Sequence, residues 1–131
     1  MGKIISFSNQ KGGVGKTTTC VNMAAYLARA GKKVLLVDLD PQGNATTGLG
    51  FSKGTLKKSV YNVIIEDEPV KDNILDTELE GLFILPANID LAGAEVDLVY
   101  KKNRDKVLRA ALLPVKEQFD YVLIDCPPSL G

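Results

Sequence analysis

Residues 11–18 read Lys11-Gly12-Gly13-Val14-Gly15-Lys16-Thr17-Thr18, and this stretch decides the fold. It follows the apolar run Ile4-Ile5-Ser6-Phe7 and precedes a segment whose apolar residues have helical spacing. The stretch matches most of the phosphate-loop pattern, which is a glycine, four residues and then Gly-Lys-Ser/Thr. It departs from that pattern at one point, because Gln10 stands where the first glycine is usual, and Lys11 lies just inside the loop.

The glycines of this loop predict a backbone that binds phosphate. They let the chain curl so that successive N–H groups point at phosphate oxygens, and the following helix adds the positive end of its dipole. We expect Lys16 to neutralise the β- and γ-phosphates, Thr17 to ligate Mg²⁺ and Thr18 to donate to the α-phosphate. The predicted nucleotide-binding residues are Gly12, Gly13, Val14, Gly15, Lys16, Thr17 and Thr18. The alternative is a flexible glycine-rich turn with a surface lysine.

Four apolar runs predict the strands of a sheet. They lie at 4–7, 34–37, 82–85 and 121–124, with a weaker candidate at 73–77. Near-continuous Val, Ile and Leu is typical of strands that are buried on both faces of a parallel sheet. Strand, glycine-rich turn, helix and strand make a βαβ unit with a right-handed crossover. The predicted fold class is therefore α/β, a mostly parallel twisted sheet flanked by helices.

Apolar spacing also predicts the helices. One has Val21, Ala24, Ala25, Leu27 and Ala28 at helical spacing and ends at Gly31. A short helix is predicted at 60–65, and another is predicted to begin at Asp90 and to include Leu98. A last helix is predicted from about Arg104, with Pro114 ending or kinking it.

Polar residues follow directly on three of the predicted strands. They are Ser8-Asn9, Asp38 to Asp40, and Asp125. Because the carboxyl ends of parallel strands form the ligand edge of such a sheet, we expect these groups to meet there. Asp125 is the expected carboxylate for the metal ion. Of Asp38 and Asp40, one would hold the magnesium shell or the loop and the other would orient the attacking water; we favour Asp40 for catalysis because it lies further beyond the sheet.

Composition restricts the possible chemistry. The chain has 131 residues, of which 45% are hydrophobic, and 16 basic residues balance 16 acidic ones, so no net charge attracts nucleic acid or anionic membranes. Histidine is absent, which leaves proton transfer to carboxylates and lysines. Cys20 and Cys126 fit buried reduced thiols better than a disulfide framework or a zinc site. No apolar run approaches a membrane span, and we expect a cytoplasmic protein.

Three segments resemble the ParA/Soj and MinD ATPases. Residues 9–18 resemble their deviant Walker A motif, Asp38-Leu39-Asp40-Pro41-Gln42-Gly43-Asn44 resembles switch I, and 121–131 resemble Walker B and the entry to switch II. Residues 86–95 also resemble a segment of the ParA/Soj branch. The resemblance covers essentially the whole chain. It implies an incomplete P-loop NTPase fold, with residues 1–131 as the N-terminal portion of a single ATPase domain.

The resemblance also implies a function. The family hydrolyses ATP with Mg²⁺ and partitions chromosomes or plasmids as ATP-bound homodimers. The lysine matching Lys11 reaches the partner's phosphates, as an arginine finger does, and the aspartate matching Asp40 activates water. On this basis the catalytic residues are Lys11, Lys16 and Asp40, and the metal site is Thr17, Asp38 and Asp125. A ParB-like activator and non-specific DNA are the implied partners of the full-length protein, which would associate with the nucleoid; no membrane is implied.

Gly131 lies at about half the family's usual length. We therefore expect an N-terminal portion that lacks the adenine-contacting loops, the DNA-binding basic residues and the remaining strands. Such a portion would be weak or inactive in turnover. Its last strand, 121–125, is expected to expose an unpaired edge or an apolar face, which would favour self-association.

Three alternatives remain open on the sequence. An electron-transfer protein like the nitrogenase iron protein shares the loop, but Cys20 and Cys126 are poorly placed to hold a cluster. A MinD-like division-site ATPase would attach to the membrane through a C-terminal amphipathic helix. A third alternative is a module that binds nucleotide or phosphate without turnover. The choice of ATP over GTP rests on the resemblance alone.

Overall fold

The computed structural model describes residues 2–7, 14–40, 42–52, 54–87 and 98–126, without the side chains of Val14, Lys16 and 98–105. The strands are β1 (Lys3–Phe7), β2 (Val34–Asp38), β3 (Leu75–Asp76), β4 (Leu82–Leu85) and β5 (Tyr121–Asp125). The helices are α1 (Val14–Arg29), α2 (Asn44–Gly48), α3 (Val60–Ile64) and α4 (Leu98–Lys116), with a 3₁₀ turn at Val70–Asn73. All four predicted strands are present, and the weaker candidate is β3.

The described strands form one sheet in the order β1-β5-β2-β4-β3. β5 pairs in parallel with both β1 and β2, β2 pairs in parallel with β4, and only β3 runs antiparallel to its neighbour. The last strand of the described chain is therefore internal to the sheet. The expectation that 121–125 would form an unpaired edge was wrong, because the crossover from α4 returns the chain between β1 and β2. The edges of the described sheet are β1, where Ile5 is 39% exposed, and the short β3.

Two apolar layers cover the sheet. On β2, Leu35 and Val37 pack against α3 and α4, whereas Val34 and Leu36 pack against α1. All four side chains are fully buried, as expected for a parallel strand covered on both faces. The α/β class predicted from the apolar runs is confirmed.

The helices differ from the predictions mainly at their ends. α1 presents Cys20, Ala24 and Ala28 to the sheet, and the chain turns at Gly31, whose φ is +89°. α4 begins at Leu98, earlier than predicted, and continues past Pro114 to Lys116. Of the two outcomes predicted for this proline, an end or a kink, the helix does not end there.

Burial explains why α4 continues. Leu112 and Val115 on either side of Pro114 are buried in the core, while the proline itself is exposed. Packing of the last turn thus outweighs the cost of an interior proline. The short helix predicted at 60–65 is confirmed as α3, whereas the helix predicted from Asp90 falls largely outside the described residues.

Candidate functional site

The first turn of α1 meets the carboxyl end of β5. Thr17 lies in that turn and is almost fully buried, and its Oγ1 donates a hydrogen bond to Oδ2 of Asp125 at 3.0 Å. Asp125 is the last residue of β5 and is fully buried. The hydroxyl predicted to ligate a metal and the carboxylate predicted to support it are therefore in direct contact.

Two acidic residues stand side by side at this edge. β2 and β5 pair in register, with Asp38 opposite Asp125, and neither side chain is exposed. Side chains alternate along a strand, so each carboxylate lies on the same face as the residue two positions before it. Those residues, Leu36 and Leu123, pack against α1. The ends of β2 and β5 thus bring two acidic groups to the start of α1, as the sequence predicted for these strands. Ser8 and Asn9, which follow β1, lie outside the described residues.

The environment of Asp38 opposes its charge. Burial raises the pKa of its carboxyl from 3.8 to about 6, and the nearby Asp125 carboxylate contributes to the increase. Hydrogen bonds from Thr46 and from the Asp40 backbone lower the pKa and so limit the rise. A divalent cation close to the two carboxylates would favour the charged form of both.

Asp38 is held by three protein donors. The Thr46 N–H donates to Asp38 Oδ2 at 2.8 Å and the Thr46 hydroxyl donates to the same oxygen at 2.7 Å. The Asp40 N–H donates to Oδ1 at 3.2 Å. Thr46 was not among the predicted site residues. The residue before α2 is Gly43, which has no side chain with which to cap the helix, and no local pattern points to Thr46 as the donor to Asp38.

Asp40 shapes the turn that leads into α2. It is 4% exposed, and its Oδ1 accepts a hydrogen bond from the Gln42 N–H at 2.9 Å. Its carbonyl accepts another from the Gly43 N–H at 2.8 Å. The turn closes through Gly43 at φ +66°, a conformation that glycine adopts without strain. Asp40 therefore lies beyond the end of β2, as predicted.

The side-chain oxygens at this edge suit a hard cation that phosphate also coordinates. Thr17, Asp38 and Asp125 offer hydroxyl and carboxylate oxygens, which Mg²⁺ prefers. Among the described residues, no three Asp, Glu, His or Cys side chains form a group that could hold a metal ion by themselves. Because Mg²⁺ in nucleotide sites is commonly held by one or two carboxylates, water and substrate phosphate, the residues fit it.

An open cavity lies beside this edge. It measures about 320 Å³ and is lined by Thr17, Thr18, Val21, Asn22, Asn44 and Gly48. Its walls come from residues 17–22 of α1 and from α2, so it adjoins the predicted phosphate-binding turn. Lys11, Gly12 and Gly13 fall outside the described residues, and Val14 and Lys16 are described by their backbone only, within α1.

Comparison with known proteins gives the family. A family model described as an AAA domain matches residues 2–131. The chain is 56% identical to the sporulation initiation inhibitor protein Soj of Bacillus subtilis and 52% identical to the chromosome partitioning protein ParA of Myxococcus xanthus, over 131 residues in both cases. The chain belongs to the ParA/Soj family. It covers 52% of that Soj and 46% of that ParA, so it spans about half the length of these relatives.

A solved structure shares the ParA/Soj fold over the full chain. It is described as cobyrinic acid a,c-diamide synthase from Mycobacterium smegmatis with a bound ATP analog and magnesium. The likeness has a TM-score of 0.89 at 46% identity and covers 100% of this chain and 53% of that one. The mostly parallel sheet flanked by helices is thus the fold of this family.

Two further observations bear on the alternative readings. Cys20 is buried and Cys126 is half-buried, so the expectation of burial holds fully only for Cys20. Among the helices that the structure describes, none combines the length and apolar character needed to cross a membrane.

Proposed function

We propose that this chain is the N-terminal portion of a single P-loop ATPase domain that binds Mg·ATP and acts as a partitioning switch of the ParA/Soj type. The observation that carries the proposal is the hydrogen bond of 3.0 Å between Thr17 Oγ1 and Asp125 Oδ2. It joins the start of the helix after the glycine-rich loop to the end of the central strand. This is the arrangement that a phosphate-bound magnesium ion requires from a P-loop protein.

Each residue of the site has a role in this proposal. The amides of Gly12, Gly13, Val14 and Gly15 and the first turn of α1 bind phosphate, because the first N–H groups of a helix have no partner within it. Lys16 neutralises the phosphates, and Thr18 adds a donor. Thr17 and the pair Asp38 and Asp125 hold Mg²⁺ directly or through its water, and the ion supplies charge that stabilises the transferring phosphoryl group.

Hydrolysis in the proposal depends on Asp40 and Lys11. Asp40 orients the attacking water, since the turn it shapes lies beyond the sheet edge next to the paired carboxylates. Lys11 supplies charge to the phosphates of a second copy, so that turnover requires a homodimer. In the whole protein a ParB-like activator and non-specific DNA would act on this dimer at the nucleoid; the support is the identity to Soj and ParA.

The test is a nucleotide titration. The affinity for the slowly hydrolysed analogue ATPγS is measured by calorimetry for the chain, first with Mg²⁺ and then with EDTA. We expect tighter binding with Mg²⁺, a loss of binding in Lys16→Ala, and a loss of about tenfold in the Mg²⁺-dependent part in Thr17→Ala, since one metal ligand is removed. Thr17→Ser keeps the hydroxyl and should restore wild-type behaviour.

ATP turnover is tested separately, once for this chain alone and once for a fusion of this chain to the second half of a full-length relative. Asp40→Ala should bind ATPγS normally and fail to hydrolyse ATP. Lys11→Ala should do the same, whereas a mixture of Lys11→Ala and Asp40→Ala chains should recover some activity by supplying the lysine in trans. ATP turnover that survives Lys16→Ala, or equal affinity with and without Mg²⁺, would overturn the proposed site.

A further inference from the structure

We propose that Thr46 is a positioning residue of the nucleotide site: its hydroxyl fixes the Asp38 carboxylate beside Asp125 and ties it both to α2 and to the chain that leaves β4. The inference rests on the proposed function, because it concerns the residues expected to face magnesium. It concerns a residue outside the phosphate loop and outside the paired acids. Thr46 acts through Asp38 and not through contact with nucleotide.

The hydroxyl of Thr46 joins three segments. It donates to Asp38 Oδ2 at 2.7 Å, and it accepts a hydrogen bond from the Ala87 N–H at 2.9 Å. Ala87 lies two residues beyond β4, the strand that pairs with β2. Thr46 and Ala87 are both fully buried, so water does not readily replace either bond. A single oxygen thus connects the end of β2, the first turn of α2 and the segment after β4.

The same contact caps α2. The residue before this helix is Gly43, which has no side-chain cap, and the Thr46 N–H in the first turn donates to Asp38 Oδ2 at 2.8 Å instead. A carboxylate at a helix N-terminus is favourable, because it satisfies an unpaired donor and lies at the positive end of the dipole. Asp38 therefore lies beside Asp125 and also caps α2, so α2 cannot move from the sheet without releasing the carboxylate.

This coupling has a consequence for the cation. Asp38 and Asp125 lie opposite each other on paired strands, and like charges so close repel. Donors on Asp38 hold it in that place despite the repulsion, and Thr46 provides two of the three. Removing the hydroxyl leaves Asp38 with one donor fewer and Ala87 without its acceptor. The carboxylate is then free to turn away from its neighbour, and the magnesium-facing pair is no longer preorganised.

The experiment compares three variants of the chain. Thr46→Val replaces the hydroxyl by a methyl group of similar shape, and Thr46→Ser keeps the hydroxyl. Thr47→Val is the matched control, because Thr47 is the exposed neighbour in α2 and its hydroxyl donates only within its own turn, to the Gly43 carbonyl at 3.0 Å. The two measurements are the ratio of the ATPγS dissociation constants in EDTA and in Mg²⁺, and the hydrogen-exchange rate of the Ala87 amide without nucleotide.

We expect Thr46→Val to reduce the ratio about tenfold, as for loss of a hydrogen bond to a charged group, and to leave the affinity in EDTA unchanged. The Ala87 amide should exchange faster in this variant. Thr46→Ser and Thr47→Val should behave like the wild type in both measurements, and thermal melts confirm that each variant is folded. A folded Thr46→Val with the wild-type ratio would overturn the positioning role while leaving the proposed function intact. A wild-type chain without a magnesium effect would overturn both, and the exchange data would then report only a structural contact.

Discussion

The two ends of the central strands β2 and β5 differ in how they handle charge. At the amino end, Lys33 and Asp120 are matched: the Lys33 N–H donates to the Asp120 carboxylate at 2.8 Å, and the Lys33 carbonyl accepts the Asp120 N–H at 2.7 Å. At the carboxyl end, the acids Asp38 and Asp125 stand side by side and buried. At the amino end the Asp120 carboxylate has a hydrogen-bond donor in the Lys33 backbone. At the carboxyl end two acidic side chains lie next to each other. We infer that one end supports the fold and the other is reserved for a cation.

The largest expected effect is a loss of folding stability from a substitution near the amino end of β5. Phe119 is 5% exposed, and its ring meets that of Phe83 edge to face at 5.8 Å. Phe119→Ala should lower the free energy of unfolding by about 3–5 kcal/mol, because it removes a large buried ring and leaves a cavity. Urea denaturation measures the loss, and Phe119→Leu should lose less. ATPγS affinity of the folded protein should not change; a large change would show that the two ends are not separate.

The second effect is a pH dependence at the carboxyl end. The pKa of Asp38 is raised from 3.8 to about 6 in the folded chain, so the folded state binds the proton more tightly than the unfolded state does. Stability contributed by this group is therefore greatest below pH 4 and is lost as the pH rises toward 6. The difference amounts to about 3 kcal/mol, since one pKa unit corresponds to about 1.4 kcal/mol.

Asp38→Asn provides the comparison, because it cannot titrate. Unfolding free energies are measured by urea denaturation between pH 4 and 7 without Mg²⁺. The stability of the wild type relative to this variant should fall from pH 4 to about pH 6 and level off above pH 6. Parallel curves for the two proteins would show that Asp38 does not titrate there.

The third effect concerns Asp125. Asp125→Asn should weaken the magnesium-dependent part of ATPγS binding by about 10–100-fold, as is usual when a carboxylate supporting a metal is changed. Its stability above pH 6 should not fall, because the substitution removes the repulsion with Asp38. Calorimetry with Mg²⁺ and with EDTA, beside a urea curve, separates the two results. A destabilised variant with intact magnesium dependence would reverse the assignment of the two ends.

The smallest effect belongs to Lys33. Its Nζ lies 5.2 Å from the centre of the Phe119 ring and 5.5 Å from that of Phe83. Lys33→Ala should cost about 0.5–1 kcal/mol, the usual size of an exposed cation–π contact. Lys33→Arg should retain most of it. Lys32→Ala, at the exposed neighbouring position, is the control, and an equal loss there would remove the role of the rings.

The sequence predicted the carboxyl end better than the amino end. The strands were found because continuous apolar runs are required where helices cover both faces of a sheet. Asp38 and Asp125 were found because residues that follow such strands meet at one edge. The phosphate loop was predicted from its residue spacing, and the phosphate-binding roles of its residues remain predictions; Lys11, Gly12 and Gly13 lie outside the described residues.

Features that depend on distant contacts were missed. Thr46 reaches Asp38 and Ala87 through tertiary geometry, which no local pattern encodes. The helix around Pro114 continues because Leu112 and Val115 are buried, so packing overrides the local preference. The order of the strands cannot be deduced from the strand sequences alone. An edge was therefore assigned to β5, whereas the edges of the described sheet are β1 and β3.

The central place of β5 has a consequence for biosynthesis. β1 and β2 emerge from the ribosome early, yet the strand that separates them is the last of the described chain, and Lys3 pairs with a neighbour as remote as Tyr121. Such long-range pairing is slow, because a large loop must close before any contact rewards it. A nascent chain without residues 121–125 has no Asp125 for Thr17 to contact, so the proposed nucleotide site is complete only after β5 has joined the sheet.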